Sequence, residues 1–220
     1  MTKTREVPAD TRRTVAEALR AAILRGEFVP RQRLVEADLC ERFGTSRFIV
    51  RSALQELSAQ GLVEFQRNRG ARVREISLGE AIEITEVRKL LEGLQAARAA
   101  ERVTAAQAEA LCGIVTGMRA AVSGGELLRY SDLNASLHAA IRDIAAHETA
   151  ARLLRQLRDQ TVRHQFSLSL VPGRPAVSLP QHEAIVAAVT AHDPAAAEQA
   201  MHDHLQSVID ALRALAATLR

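Results

Sequence analysis

At 220 residues, with 47% hydrophobic and 25% charged side chains, the chain has the composition of a globular protein of one or two domains. No apolar run approaches the roughly 18 residues of a membrane span, and the polar start MTKTREVPADTRR lacks a secretory core. Cys40 and Cys112 form no CxxC and no evident disulfide framework, so a cytoplasmic protein without a membrane partner is expected. Aromatics at 3% and the absence of tryptophan point to helices packed through small side chains. Residues 1–76 hold 15 Lys and Arg against 10 Asp and Glu, whereas residues 77–220 hold 14 against 16. Seven arginines fall within 42–74, against Glu56 and Glu64 alone. Such a block is the footprint of a polyanionic partner, although a solvated charged face is an equally ordinary cause.

In chain order, RRTVAEALRAAILR (12–25) places Val15, Leu19, Ala22 and Ile23 on one helical face. Gly26 stops it, and FVPRQRL is a short extended connector. EADLCERF (36–43) forms a second helix ending at Gly44, a natural left-handed cap. Thr45 or Ser46 then caps a third helix to about residue 59, giving a helix-turn-helix. At 100° per residue, Ile49, Val50, Ala53, Leu54 and Leu57 share one face of that helix. Arg47, Phe48, Arg51, Ser52 and Gln55 share the other, a donor set suited to phosphates and base edges. Arginines at a helix start oppose the macrodipole, and an external anion, also met by Ser46 and the helix N-terminus, would repay that cost. Phe48 fits either a thymine methyl or a fold-back contact. LVEFQ (62–66) and ARVREI (71–76) read as strands joined by a turn of Arg67, Asn68, Arg69 and Gly70, a basic wing.

The segment AEALRAAILRGEFVPRQRLVEADLCERFGTSRFIVRSALQELSAQGLVEFQRNRGARV resembles the winged helix-turn-helix domain of the GntR regulators. The resemblance puts the family's two recognition-helix arginines on Arg47 and Arg51 and its wing on Arg67, Asn68, Arg69 and Gly70; with Ser46 and Phe48, placed by the phasing above, these are the expected DNA contacts. Two departures stand out: Pro30-Arg31 replaces the usual Pro-Gly, and Phe48-Ile49 replaces the usual Thr-Pro between the two arginines. The second lies at a base-reading position, so no relative's operator transfers directly.

Beyond Leu78 only helical periodicity remains, at about 78–101, 104–122, 126–146, 148–168, 179–191 and 194–219, an all-α bundle of six to seven helices. Residues 169–180, with three prolines, read as an irregular loop and candidate lid. All seven histidines lie beyond residue 137. Asn134 and His138 are i,i+4 beside the stripe of Leu133, Leu137, Ile141 and Ile144. His182 shares a face with Ile185, Val186 and Val189, while His202 and His204 flank the last helix's stripe and periodicity does not choose between them. An inward histidine is more often a hydrogen-bonded core residue than a ligand.

EITEVRKLLEGLQAARAAERVT, YSDLNASLHAAIRDIA and QHEAIVAAVTAHDPAAAEQAMHDHL are similar to the FCD-type effector domain of FadR-subfamily GntR regulators. That resemblance implies a divalent metal held by Asn134, His138, His182 and His204, with Zn expected and Ni or Mn alternatives. Asn134 stands where an aspartate is usual, a weaker ligand. Arg88 is either an exposed i,i+4 partner of Glu92 or a clamp for an effector carboxylate. The whole is expected to be a mainly α protein, with a winged helix-turn-helix at 1–76 and a ligand-binding, dimerising helical domain at 77–220. As a homodimer it would read a palindromic double-stranded operator under the control of a small carboxylate effector. A metal-dependent hydrolase and an architectural DNA binder without effector are the alternatives. No HExxH or evident general base supports the first, and no catalytic residue is assigned.

Overall fold

The computed structural model describes residues 9–169, 171 and 173–218; the start of the chain and residues 170 and 172 of the expected loop lie outside that set. The chain divides into two compact units, Met1–Ile76 and Ser77–Arg220. No helix among the described residues is long and apolar enough to cross a membrane.

The first unit runs α1 (Ala9–Leu24), β1 (Arg33–Leu34), α2 (Glu36–Phe43), α3 (Arg47–Ala59), β2 (Val63–Gln66) and β3 (Gly70–Val73). α2 ends on Gly44 at φ 59°, which glycine adopts without Cβ strain. α3 buries the phased face: Val50, Leu54 and Leu57 join Leu19, Ile23 and Leu39 in the main core. Ile49 and Ala53 pack with Val15 and Ala16 of α1. Ser46 occupies the N-cap position of α3, yet its side chain makes no capping hydrogen bond, so its hydroxyl is not committed to closing the helix.

β2 and β3 pair antiparallel with Gln66 opposite Gly70. Arg67, Asn68 and Arg69 form the loop between them, and Asn68 and Gly70 take φ of 62° and 78°. The sheet exceeds the expected hairpin: Arg33 and Leu34 pair with Arg72 and Ala71, giving the order β1-β3-β2. Two residues are too few to show a period, and burial of Leu34 fixes the pairing instead. Arg31, in the place of the usual glycine, takes φ 66°. A non-glycine residue in that region costs about 1–2 kcal/mol; here it brings Arg31 N within 2.9 Å of the Val73 carbonyl.

The second unit is six helices: α4 (Leu78–Arg102), α5 (Ala105–Ser123), α6 (Leu127–Ala145), α7 (Glu148–Ser169), α8 (Arg174–Thr190) and α9 (Pro194–Thr218). Ser77 Oγ caps α4 by accepting from Glu80 N at 3.1 Å, and Thr104 with Gln107 makes a capping box on α5. Residues 174–180 are the opening turns of α8 and not an irregular lid. Pro175 in the first turn needs no N–H partner, and burial of Pro175 and Ser178 holds the segment in the helix despite Pro180 inside it. The core is rich in small residues: Ala96, Ala99, Ala100, Ala121, Ala145 and Ala197 are buried beside Leu137, Ile185, Met201 and Leu205.

Small side chains let α4 and α9 approach closely. A Cβ added at Gly93 of α4 would lie 2.3 Å from His202 Nε2 and 3.3 Å from Glu198 Cγ on α9. Alanine would favour the helix by about 1 kcal/mol, whereas overpacking costs about 1–3 kcal/mol. Gly93→Ala is therefore expected to lower stability by about 1 kcal/mol in denaturant unfolding. In a His202→Ala background the same change should raise it by up to about 1 kcal/mol. The same sign in both backgrounds would show that this contact does not limit the approach.

Candidate functional site

Two sites emerge, one in each unit. In the first, α3 turns its polar face out: Ser46, Arg47, Phe48 and Arg51 are exposed, as are Arg67, Asn68, Arg69 and Gly70 at the wing tip. Phe48 is 65% exposed, so it does not fold back into a buried contact. Arg51 Nε stands 4.0 Å from Glu36 Oε1 with its side chain 69% exposed, an interaction worth little in water. The seven arginines of 42–74 are not equivalent. Arg42 pairs with Glu27 and lies 4.9 Å over the Phe28 ring, and Arg72 pairs with Glu64. Among the described residues, Arg47, Arg67 and Arg69 make no ion pair, so their charges stay available to an outside anion.

In the second unit, His138 of α6, His182 of α8 and His204 of α9 converge, with one ring nitrogen from each within 4.8 Å of the others. Their ring centroids are 4.3–5.7 Å apart. Each Nδ1 faces a protein oxygen. His182 Nδ1 is 3.1 Å from Tyr130 Oη, and His204 Nδ1 is 3.1 Å from Gln181 Oε1. His138 Nδ1 is 3.0 Å from Glu92 Oε2, close but poorly aligned, so it has no partner in hydrogen-bonding geometry. His182 Nε2 and Asn134 Oδ1 are buried without a hydrogen-bond partner. Burial pushes all three imidazoles below their ordinary range, His182 and His204 strongly and with neighbouring rings adding to the effect, His138 against the opposing pull of Glu92. Neutral rings carry lone pairs, the form a cation needs. Burial raises the Tyr130 phenol to about 12, so it keeps its proton beside His182. His204, and not His202, joins the cluster; His202 lies against Gly93 instead.

A cavity of about 310 Å³ opens on this cluster and also reaches Arg88, Arg158 and Arg174. Arg88 is 4% exposed and is no surface partner of Glu92. Its Nε and Nη2 hold Glu92 Oε1 at 2.9 and 2.8 Å. Arg158 Nη2 holds Glu92 Oε2 at 2.5 Å. Burial alone would raise the Glu92 carboxyl, but Arg158 and Arg88 outweigh it and hold the group well below the usual carboxylate range. Arg88 Nη1 and Arg158 Nε remain buried without partners.

Residues 11–73 match the bacterial regulatory proteins of the gntR family, and residues 83–207 match the FCD domain. The HTH-type transcriptional regulator LutR of Bacillus subtilis is 32% identical over 212 residues, spanning 86% of this chain and 95% of its own. The chain belongs to the GntR family. It is a DNA-binding transcription regulator with an FCD effector domain. The HTH-type transcriptional repressor RspR of Escherichia coli is 28% identical over 89% of this chain and 86% of its own. The solved structure of E. coli McbR/YncC shares the fold at TM-score 0.74 and 20% identity, across 93% of this chain and 98% of that one. The relatives are regulators and not enzymes, which sets the hydrolase alternative aside.

Sequence reading of this GntR regulator missed Tyr130, Arg158, Arg174 and Gln181. Tyr130, Asn134 and His138 recur at i, i+4 and i+8 on α6, a stripe that could have disclosed the tyrosine. Arg158 lies one turn past the buried Leu154 and three residues before the buried Thr161, so its phase was also legible. Arg174 had no such signal, because Pro-Gly-Arg-Pro suggests a loop. Removing the Glu92 carboxylate strands two guanidiniums. Glu92→Ala is expected to cost about 3–5 kcal/mol in denaturant unfolding; a loss under about 1 kcal/mol would show that other groups neutralise the arginines.

Proposed function

We propose that this regulator reads its operator with α3 and the wing, and that a small organic acid bound beside a divalent metal in the FCD domain controls its affinity. On the DNA side, Arg47 and Arg51 reach base edges from the major groove and Ser46 takes a phosphate. Phe48 offers an apolar contact to a thymine methyl. Arg67 and Arg69, presented by Asn68 and Gly70, lie along the backbone or minor groove. A homodimer would place two such helices one duplex turn apart on a palindromic site.

The observation that carries the metal reading is the shared arrangement of the three imidazoles. Gln181 Oε1 can only accept, so it holds the proton on His204 Nδ1 and leaves the lone pair on Nε2; Tyr130 Oη, accepting from His182 Nδ1, would do the same for His182. Asn134 Oδ1, buried and unpartnered, supplies a fourth donor. The residues therefore fit a cation. Three imidazoles and an amide oxygen suit Zn²⁺ best, with Ni²⁺ or Mn²⁺ as alternatives, and the ion would supply a Lewis-acid anchor for a carboxylate. Arg88, with a free nitrogen on the cavity wall, steers that acid group into place. The effector acts by favouring one of two arrangements of the DNA-reading units in the dimer, through its differential affinity for them.

Two experiments test the halves separately. Arg51→Ala should weaken specific operator binding by about 1–3 kcal/mol, and Arg69→Ala should lower the salt slope of binding by about one. Unchanged affinity and slope in gel-shift titrations would remove both elements from the interface. Elemental analysis of purified protein should give close to one zinc-class ion per chain, lost in His182→Ala. Chelation of the native protein should lower its thermal midpoint. Equal metal content in the variant would reject this donor set.

A further inference from the structure

Two sets of guanidinium groups line the cavity with fewer carboxylate partners than charges. The first is distributed over Arg88, Arg158 and Glu92: two guanidiniums share one carboxylate, whose oxygens are both occupied. The second is Arg174. Its Nη1 donates to Ser207 Oγ at 2.9 Å, a neutral partner, and its Nη2 is buried without any partner. Among the described residues no carboxylate pairs with Arg174; Asp159 also lines the cavity, but it has an interaction of its own and is not among the groups that act on Arg174. The two stand on different walls of the cavity: Arg88 on α4 and Arg158 on α7, but Arg174 at the start of α8.

The donor set of the histidine cluster sharpens the imbalance. Three imidazoles and an amide contribute no negative charge, so a divalent ion there would keep its full charge. A monoacid would neutralise one wall and leave Arg174 desolvated and unpaired, which is costly in a partly buried site. A cavity of about 310 Å³ is at the small end of ligand sites. It has room for a short chain and little more.

We infer that the effector carries two acid groups, a dicarboxylate of about four to six carbons, with one carboxylate at the histidine cluster and the other on the free N–H of Arg174. This rests on the reading of the cavity as the effector site. It adds Arg174 as the residue that selects diacids over monoacids. The acid group at the histidine cluster would be shared with any short carboxylate; the contact with Arg174 separates the two classes.

The test is calorimetric titration of zinc-loaded, full-length protein with matched pairs: butanoate against succinate, pentanoate against glutarate, hexanoate against adipate. In the native chain the best diacid should bind about tenfold or more tightly than the monoacid of equal length, as expected for one charge-assisted hydrogen-bond pair. Arg174→Gln should reduce that ratio to within about twofold while monoacid affinity stays unchanged. Equal affinities in the native chain, or a ratio kept in Arg174→Gln, would overturn the inference and leave the effector reading intact. Absence of binding by every acid would remove both. Should Arg174→Gln fail to fold, Arg174→Lys replaces it: it keeps the charge, loses the planar fork, and should lower the ratio without abolishing it. A native ratio that persists undiminished in Arg174→Lys would likewise overturn the proposal.

Discussion

Taking the Glu92 carboxylate out of water, to 1% exposure, would be prohibitive if it stood alone. It is answered by a bidentate hold from Arg88 on its own helix, by Arg158 from α7, and by the close approach of His138 from α6. Three helices are thereby joined through one buried charged group beside the cavity-lining Arg88, His138 and Arg158. The same carboxylate fixes where two guanidiniums keep spare nitrogens. The network is overdetermined in cations, so it is stable as a scaffold and incomplete as a charge balance. That combination is suited to a sensor, because the ligand supplies what the resting protein lacks.

The DNA-reading unit follows the opposite rule. Its arginines divide into those consumed by the fold and those held out to solvent. Arg42 and Arg72 stabilise the unit through Glu27, Phe28 and Glu64, while Arg47, Arg67 and Arg69 make no ion pair among the described residues. A guanidinium already satisfied by a carboxylate contributes little to binding a phosphate, since it must first give up its partner. The effective positive charge toward a duplex is therefore smaller than composition suggests, and it is concentrated on one helix start and one turn. Concentration of that kind favours register over bulk affinity.

Much of this was legible in the chain, and the exceptions have physical causes. The phase of α3 survived because its inward residues are aliphatic and its outward ones charged, so a single period describes both. Gly44 announced its turn because only glycine is at ease there. The histidines were visible individually, but their convergence depends on α6, α8 and α9 meeting across long sequence separations, which periodicity cannot report; the family resemblance supplied it. Glu92 looked like half of a surface pair, since an i,i+4 spacing is the same whether the pair is wet or buried. Arg174 was hidden by its neighbours. Prolines suggest irregular chain, and here packing of Pro175 and Ser178 overrules them.

Gly93 adjoins Glu92 on α4, and His202 stands two residues before His204 on α9. The absent methyl group at position 93 therefore sets the gauge between the helix that carries Arg88 and Glu92 and the helix that carries one of the rings. A side chain there would act as a wedge against His202 and Glu198, neither of which lines the cavity, so a change in the spacing of these two helices needs no change in the lining itself.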